Sequence, residues 1–379
     1  MPFAAALSEH PETVEATAEV VGEVLDRLGP GPDLAVVFVS AIHVDHMVDI
    51  VETVRHALAP GALIGTTAVS VVGGAREVEE HPAISLWAGT TGAVRTVRLE
   101  AVRTVEGTSL HGIDDDELAA ASTLVLLADP FSFPVDDVIE ILRRRAPHVA
   151  IIGGMASAGF APGANRLAID GDVHADGAVG VLLGPDQAVT TVVSQGCRPI
   201  GDPLVVTRAE GNVVHEIAGQ PALTRLDELF QSLGEDERQL VQQGLHIGRV
   251  IDEHRAEFGR GDFLVRNVLG ADRDTGAIAI GDVVEVGATV QFHVRDADSA
   301  DEDLRELLTG KGAEGALVFT CNGRGMRLFG EPDHDAELID SITRGATAGM
   351  FCAGEIGPVG ARSFVHGFTA SVALFRDAS

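Results

Sequence analysis

Three stretches of this 379-residue sequence have the same order of elements. Each begins with a short apolar run, continues through a polar loop and an amphipathic segment, and ends with two further apolar runs separated by a glycine-rich loop. The opening runs read "DLAVVFVS", "STLVLLADP" and "GALVFTCNGRG". Short, continuous apolar runs bounded by glycine are typical of strands that are buried on both faces. The pattern therefore predicts an α/β fold made of repeated βαβ-type units with mixed sheets.

The amphipathic segment of the second stretch has a helical period. Val135, Val138, Ile139 and Leu142 lie on one face of a 3.6-residue helix. Two aspartates stand near its start and three arginines near its end, which suits the helix dipole. We therefore predict that this segment is a helix packed on the strands around it.

The sequence between the second and third stretches has a different pattern. It contains apolar runs separated by turn signals, at "AEGN" and at 272–276, which predict antiparallel strands. An acidic, amphipathic stretch reads as two short helices or as one helix broken at Gly234. We place a domain boundary near residue 220, giving domains 1–219 and 220–379, with the antiparallel section in the second.

The composition makes some classes of binding partner unexpected. The chain carries a formal net charge of −30, and such an acidic surface repels phosphate groups, so nucleic acid and anionic membrane are not expected partners. Three cysteines without a CxxC motif do not form a disulfide framework. No apolar run approaches membrane-spanning length. The cysteine usage fits a reducing cytoplasm, so we expect a cytoplasmic protein. The few lysines and many arginines, alanines and glycines indicate a bacterial source.

Five segments resemble one known family. They are "SQGCRPIGDP", "DFLVRNVLG", "VQFHVRDA", "FTCNGRG" and "CAGEIGPVGARSFVHGFTASVALF". The sequence is similar to FIST proteins, with residues 30–218 resembling the N-terminal half of the FIST region and residues 220–375 the C-terminal half. The resemblance implies a sensory module for signal transduction that binds a small molecule, with amino acids proposed as ligands. It implies no catalytic residues and no cofactor. Because the chain has no room for an output domain, we expect a separate signalling partner.

The loop after the third opening strand is the main candidate for ligand binding. It reads Cys321, Asn322, Gly323, Arg324, Gly325. In open α/β sheets ligands bind at the carboxyl ends of strands. Glycines allow backbone N–H groups to approach a ligand, and an arginine can bind a carboxylate through two hydrogen bonds. Alternatively, the arginine faces water or pairs with a nearby carboxylate of the protein.

Two further residues extend this candidate site. Glu355, between glycines in "CAGEIGP", could receive the amino group of an amino acid, or could pair with Arg324 or Arg362. Ser157 follows a predicted strand in "GMASAG". The spacing around Ser157 is not that of a nucleophile elbow, so we predict a ligand-binding hydroxyl.

The cysteines leave a catalytic alternative open. Cys321 and Cys352 both stand at predicted strand ends, where they could line the site or pack in the core. The alternative function is a thiol-dependent hydrolase or amidohydrolase with one of them as nucleophile. A Ser–Lys mechanism is close to excluded because Lys311 is the only lysine. We expect no metal site, since the histidines of "HVDH" lack a third ligand with zinc spacing.

Overall fold

A computed structural model describes residues 2–105, 107–255 and 257–376 of the chain. The chain forms two compact units. Unit A comprises Met1–Val193, Leu304–Val365 and Thr369–Ser379, and unit B comprises Ser194–Asp303 and His366–Phe368. The predicted boundary at residue 220 falls inside unit B, so the division into 1–219 and 220–379 stays a prediction.

The first part of the chain contains the first two repeats. Its elements are β1 (Phe3–Ser8), α1 (Thr13–Leu28), β2 (Leu34–Ser40), α2 (Met47–Leu58), β3 (Ala62–Ala68), β4 (Ser70–Gly73), β5 (Arg76–Glu79), β6 (Ile84–Gly89), β7 (Val94–Thr104), β8 (Gly107–His111), α3 (Asp115–Ala120), β9 (Thr123–Ala128), α4 (Val135–Arg145), β10 (Ala150–Met155), β11 (Leu167–Ile169), β12 (Asp172–His174), β13 (Ala178–Leu183) and β14 (Val189–Gln195). A 3-10 turn, Ala41–His46, precedes α2.

The rest of the chain contains the antiparallel section and the third repeat. Its elements are β15 (Cys197–Glu210), β16 (Val213–Ile217), β17 (Gln220–Pro221), α5 (Ala222–Ser232), α6 (Glu235–Gln243), β18 (Leu245–Val250), β19 (Phe263–Asp272), β20 (Ala277–Ile280), β21 (Thr289–Arg295), α7 (Ala297–Leu308), β22 (Gly315–Cys321), α8 (Met326–Phe329), α9 (His334–Thr343), β23 (Thr347–Cys352), β24 (Glu355–Val359), β25 (Arg362–His366) and β26 (Thr369–Phe375).

The three predicted repeats share one strand arrangement in unit A. In each repeat the first strand pairs in parallel with the second and antiparallel with the last. The triplets are β6–β2–β3, β13–β9–β10 and β26–β22–β23. The helix between the first two strands crosses over the sheet, as a parallel connection requires. The predicted α/β fold with mixed sheets is confirmed.

A β-hairpin, rather than a simple glycine-rich loop, follows the second strand of each repeat. The hairpin leaves its own sheet and extends that of another repeat. Hairpin β4–β5 joins β23, β11–β12 joins β3, and β24–β25 joins β10. The exchange is cyclic, from the first repeat to the third, the third to the second, and the second to the first. The three sheets are therefore interlocked through strand pairing.

The inner faces of the three sheets share one apolar core. Trp87, at its centre, lies with its ring centroid 5.4 Å from that of Phe3 and 4.8 Å from that of Phe375, and its indole N–H donates to the carbonyl of Ala346 at 3.2 Å. Helices cover the outer faces. On α4 the four residues of the predicted apolar face are all buried. Packing on both faces explains why the strands are apolar throughout.

Unit B is a closed antiparallel sheet. Its strand order is β15-β21-β18-β19-β20-β16-β17, and an additional pairing of β15 with β16 closes the ring. The turn between those two strands is at Gly211, where φ is +58°. The acidic stretch forms two helices that meet at Gly234, the first of the two predicted arrangements. In the described residues no helix is long and apolar enough to cross a membrane.

Candidate functional site

Segments at or just beyond the ends of the second strands of the three repeats meet at one serine. The Ser157 hydroxyl donates to the carbonyl of Phe351 at 2.6 Å and accepts from the backbone N–H of Val69 at 2.9 Å. Ser157 belongs to the second repeat, Phe351 to the third and Val69 to the first. This hydroxyl therefore ties the three repeats together, and its predicted contact with a ligand stays a prediction.

A cavity of about 610 Å³ opens where these segments meet. Its apolar wall includes Ile42, Val69, Phe160 and Phe351. It adjoins the carboxyl ends of strands, the position at which α/β sheets bind ligands. Its volume is within the range of small-molecule sites in proteins.

Asn322, which lines this cavity, carries a buried polar atom. Its backbone N–H donates to the carbonyl of Cys352 at 3.1 Å, which fixes the residue at the end of β22. Its side-chain Oδ1 is buried and accepts no hydrogen bond from any residue that the structure describes. An unsatisfied buried acceptor costs about 1–3 kcal/mol. A donor on a bound molecule would recover that cost.

The rim of the cavity carries charges of both signs. Glu79 accepts a hydrogen bond from the backbone N–H of Met326 at 2.8 Å, and Glu80 pairs with Arg327 at 2.8 Å. Both partners of the second pair are more than half exposed, so a ligand can compete for them. Gly325 has a φ of +60°, and a Cβ there would collide with the Glu79 carboxylate. The rim can thus receive an ammonium and a carboxylate.

The sequence left three partners open for Arg324, a ligand, water or a protein carboxylate, and the structure shows a pair with a protein carboxylate. The side chain is 0% exposed, and its Nε and Nη2 donate to Asp335 Oδ2 and Oδ1 at 2.7 and 2.8 Å. Burial alone would raise the pKa of Asp335, but the charge and hydrogen bonds of Arg324 hold it well below its usual range. Nη1 has no hydrogen-bond partner in the described part of the chain. A direct contact between Arg324 and a ligand stays a prediction.

Sequence reasoning missed two carboxylates around this arginine. Asp335 lies in the first turn of α9 and also accepts from the Thr320 hydroxyl at 2.9 Å. Glu77 accepts from the backbone N–H groups of Asp335 and Ala336 at 3.1 and 3.2 Å, at the start of the same helix. Burial raises the pKa of Glu77, and the Asp335 charge adds to this effect. The acidic run "EPDHD" was a sequence signal that could have pointed to Asp335. Glu77 is so distant from α9 in the sequence that no local pattern connects the two.

Glu355 is fully buried at the start of β24. Its Oε2 accepts from the N–H and hydroxyl of Thr369 at 3.1 and 3.0 Å. Burial raises its pKa to about 8, although those hydrogen bonds and the nearby Cys321 side chain lower it in part. Glu355 therefore holds a proton at neutral pH. Its other oxygen has no hydrogen bond of good geometry to a described residue.

The structure brings the two predicted site cysteines together. Cys321 and Cys352 are register partners on the parallel strands β22 and β23, and neither is in a disulfide. Burial, with the charges of Glu355 and Cys321, raises the pKa of Cys352 well above its ordinary value. Cys352 is thus a thiol at neutral pH. The backbone N–H of Gly323 donates to the Cys321 sulfur at 3.4 Å.

The histidines of "HVDH" both lie in the 3-10 turn before α2, one buried and one on the surface. His43 is buried with its Nδ1 2.9 Å from the Thr13 hydroxyl, and His46 lies on the surface near Asp49. Within residues 2–105, 107–255 and 257–376, no group of three or more His, Cys, Asp or Glu side chains is placed to hold a metal ion.

The sequence matches two family models over most of its length. Residues 33–220 match the FIST N domain and residues 222–358 the FIST C domain. FIST domains are in general sensory domains of signal transduction. The chain is 46% identical over 385 residues to an uncharacterized protein of Mycobacterium tuberculosis, covering 100% of both chains. It is also 46% identical over 376 residues to an uncharacterized protein of Mycobacterium bovis, covering 97% of each.

Proposed function

Since the chain belongs to the FIST family, we propose that it is a sensory protein that binds a small polar metabolite with an ammonium group, such as an amino acid. The proposed site is the cavity beside Asn322. A separate signalling protein would read the bound state, because FIST domains act in signal transduction.

One observation carries the proposal. Asn322 lines the cavity, and its side-chain Oδ1 is buried and lacks a hydrogen-bond donor among the described residues. A buried acceptor of this kind can accept a hydrogen bond from a donor on a bound molecule. An ammonium group is the donor that an amide oxygen and neighbouring carboxylates favour.

The rest of the lining agrees with an amino acid. Glu79 and Glu80 supply negative charge for the ammonium, and Arg327 can bind a carboxylate after leaving Glu80. Ile42 and Phe160 offer apolar surface for a side chain. The ammonium, carboxylate and side chain of an amino acid would thus each contact a matching group of the cavity.

A thermal-shift screen against the common amino acids and small amines tests this proposal. A ligand at about 100 times its Kd stabilises the native state by roughly 2.7 kcal/mol, which raises the melting temperature. We expect at least one amino acid to stabilise the wild-type protein and to stabilise Asn322→Leu much less. Asn267→Leu, the same change at an exposed position of unit B, is the matched control. No stabilisation by any ligand, or equal stabilisation of Asn322→Leu, would overturn the proposal.

A further inference from the structure

Cys321 and Cys352 are placed within reach of a disulfide. Neighbouring strands lie about 4.8 Å apart, and the Cα atoms of a disulfide are usually about 4.4–6.8 Å apart. As register partners in a parallel ladder, the two side chains leave the same face of the sheet. Both are at the ends of their strands, where small backbone shifts are tolerated.

The two thiols differ in access. Cys321 is half-buried and directly precedes the cavity residue Asn322, whereas Cys352 is 0% exposed. Because the susceptibility of a cysteine to oxidation rises with its exposure, Cys321 is the thiol that an oxidant reaches first.

We propose that Cys321 and Cys352 are a peroxide-sensitive thiol pair, in which Cys321 reacts first and Cys352 closes a reversible disulfide that rearranges the loop 322–325. The cysteine pair itself does not depend on the proposed ligand. An effect of the disulfide on ligand affinity would rest on the proposed function.

The chemistry balances with a hydroperoxide as oxidant. The Cys321 sulfur attacks one peroxide oxygen, the O–O bond breaks, and the thiol proton passes to the leaving hydroxide, giving a sulfenic acid and water. The Cys352 sulfur then attacks the Cys321 sulfur, the S–O bond breaks, and the Cys352 proton leaves with the hydroxide as a second water. Two thiols thus supply two electrons and become one disulfide.

The loop is anchored on both cysteines, so a disulfide would change it. The N–H of Arg324 donates to the Cys321 carbonyl at 2.8 Å, and that of Gly323 donates to the Cys321 sulfur. The N–H of Asn322 donates to the Cys352 carbonyl. In the disulfide the Cys321 sulfur moves toward Cys352, so the backbone N–H of Gly323 loses its hydrogen-bond acceptor. The cavity wall at Asn322 would then lose part of its support.

The disulfide is measured without any ligand. Full-length protein is treated with hydrogen peroxide, and its peptides are analysed by mass spectrometry without reduction. We expect a Cys321–Cys352 crosslink that dithiothreitol reverses. The crosslink should persist in Cys197→Ala, where the third, buried cysteine is removed. In Cys352→Ala we expect a sulfenic acid at Cys321 that dimedone traps.

Two results would overturn the inference. One is that peroxide leaves both thiols unmodified, or oxidises Cys197 instead. This result counts when the circular dichroism of the treated protein remains native. The other is a crosslink that leaves amide hydrogen exchange of the 322–325 segment unchanged, where we expect exchange about fivefold faster. Neither readout requires the proposed ligand, so a failed ligand screen and a failed disulfide remain distinguishable.

Discussion

Arg324 and Asp335 form a bidentate ion pair with both side chains at 0% exposure. The pair joins the loop after β22 to the first turn of α9, and Thr320 adds a third hydrogen bond to the aspartate. A buried charge is tolerated only when it is paired and hydrogen-bonded. The Arg324–Asp335 ion pair thus fixes the loop beside the cavity to α9.

Removing one partner of this pair should destabilise the protein strongly. Asp335→Asn keeps the shape of the side chain but leaves Arg324 as an uncompensated buried charge. We expect a loss of about 3–5 kcal/mol in the free energy of unfolding, measured by urea denaturation. Glu80→Gln, which breaks the exposed pair with Arg327, is the control and should cost less than about 1 kcal/mol. Equal effects of the two variants would contradict this account.

Ser157→Ala should loosen the junction of the three repeats. The change leaves the carbonyl of Phe351 without its donor and the N–H of Val69 without its acceptor, both in a buried setting. We expect a loss of about 2 kcal/mol in the free energy of unfolding. Ser109→Ala removes an exposed hydroxyl with one long hydrogen bond and should have little effect. A Ser157→Ala protein as stable as the wild type would rule out the junction role.

Glu355 should make the free energy of unfolding fall as the pH rises from 4.5 to about 8. Its pKa in the native state, about 8, is above its ordinary value of 4.5. The stability that comes from holding this proton is therefore fully present below pH 4.5 and is lost as the pH rises through 8. The expected slope is about −1.4 kcal/mol per pH unit over that window. Glu77, whose pKa is also raised, contributes a slope of the same sign. In urea denaturation between pH 5 and 9, the free energy of unfolding of Glu355→Gln should therefore fall with pH less steeply than that of the wild type by this amount, whereas parallel curves would contradict the assignment.

Two buried histidines should make unit B sensitive to acid. Burial lowers the pKa of His246 and of His293 to about 4 from an ordinary 6.5. Because the native state favours their neutral forms, stability is lost as the pH falls from 6.5 toward 4, by about 1.4 kcal/mol per pH unit for each. His293→Gln should remove its share, as measured by urea denaturation at several pH values. His254→Gln, at an exposed position, should leave the slope unchanged.

The repeated strands and their helices could be predicted from the sequence because their signals are local. Val135 and Leu142 are on the buried face of α4 since a 3.6-residue period requires it. The apolar run ending at Cys321 forms the predicted strand β22. Local patterns of this kind depend only on neighbouring residues.

The exchange of hairpins and the partners of the site could not be predicted in this way. The sequence pattern of hairpin β4–β5 is equally compatible with pairing in the sheet of its own repeat. Its actual pairing with β23 depends on contacts between residues that are hundreds of positions apart in the chain. The same holds for Glu77, whose partner Asp335 is 258 residues away. The sequence left a ligand, water or a protein carboxylate open as the partner of Arg324. In the structure the side chain is buried and pairs with Asp335. Long-range choices of this kind have no periodic signal.

Isothermal titration of the best amino acid from the screen tests the central claim most directly. The account predicts one site per chain in the wild-type protein, affinity weakened at least about tenfold in Asn322→Leu, and unchanged affinity in Asn267→Leu. Undiminished affinity in Asn322→Leu, with native circular dichroism, would place the ligand elsewhere and contradict the account.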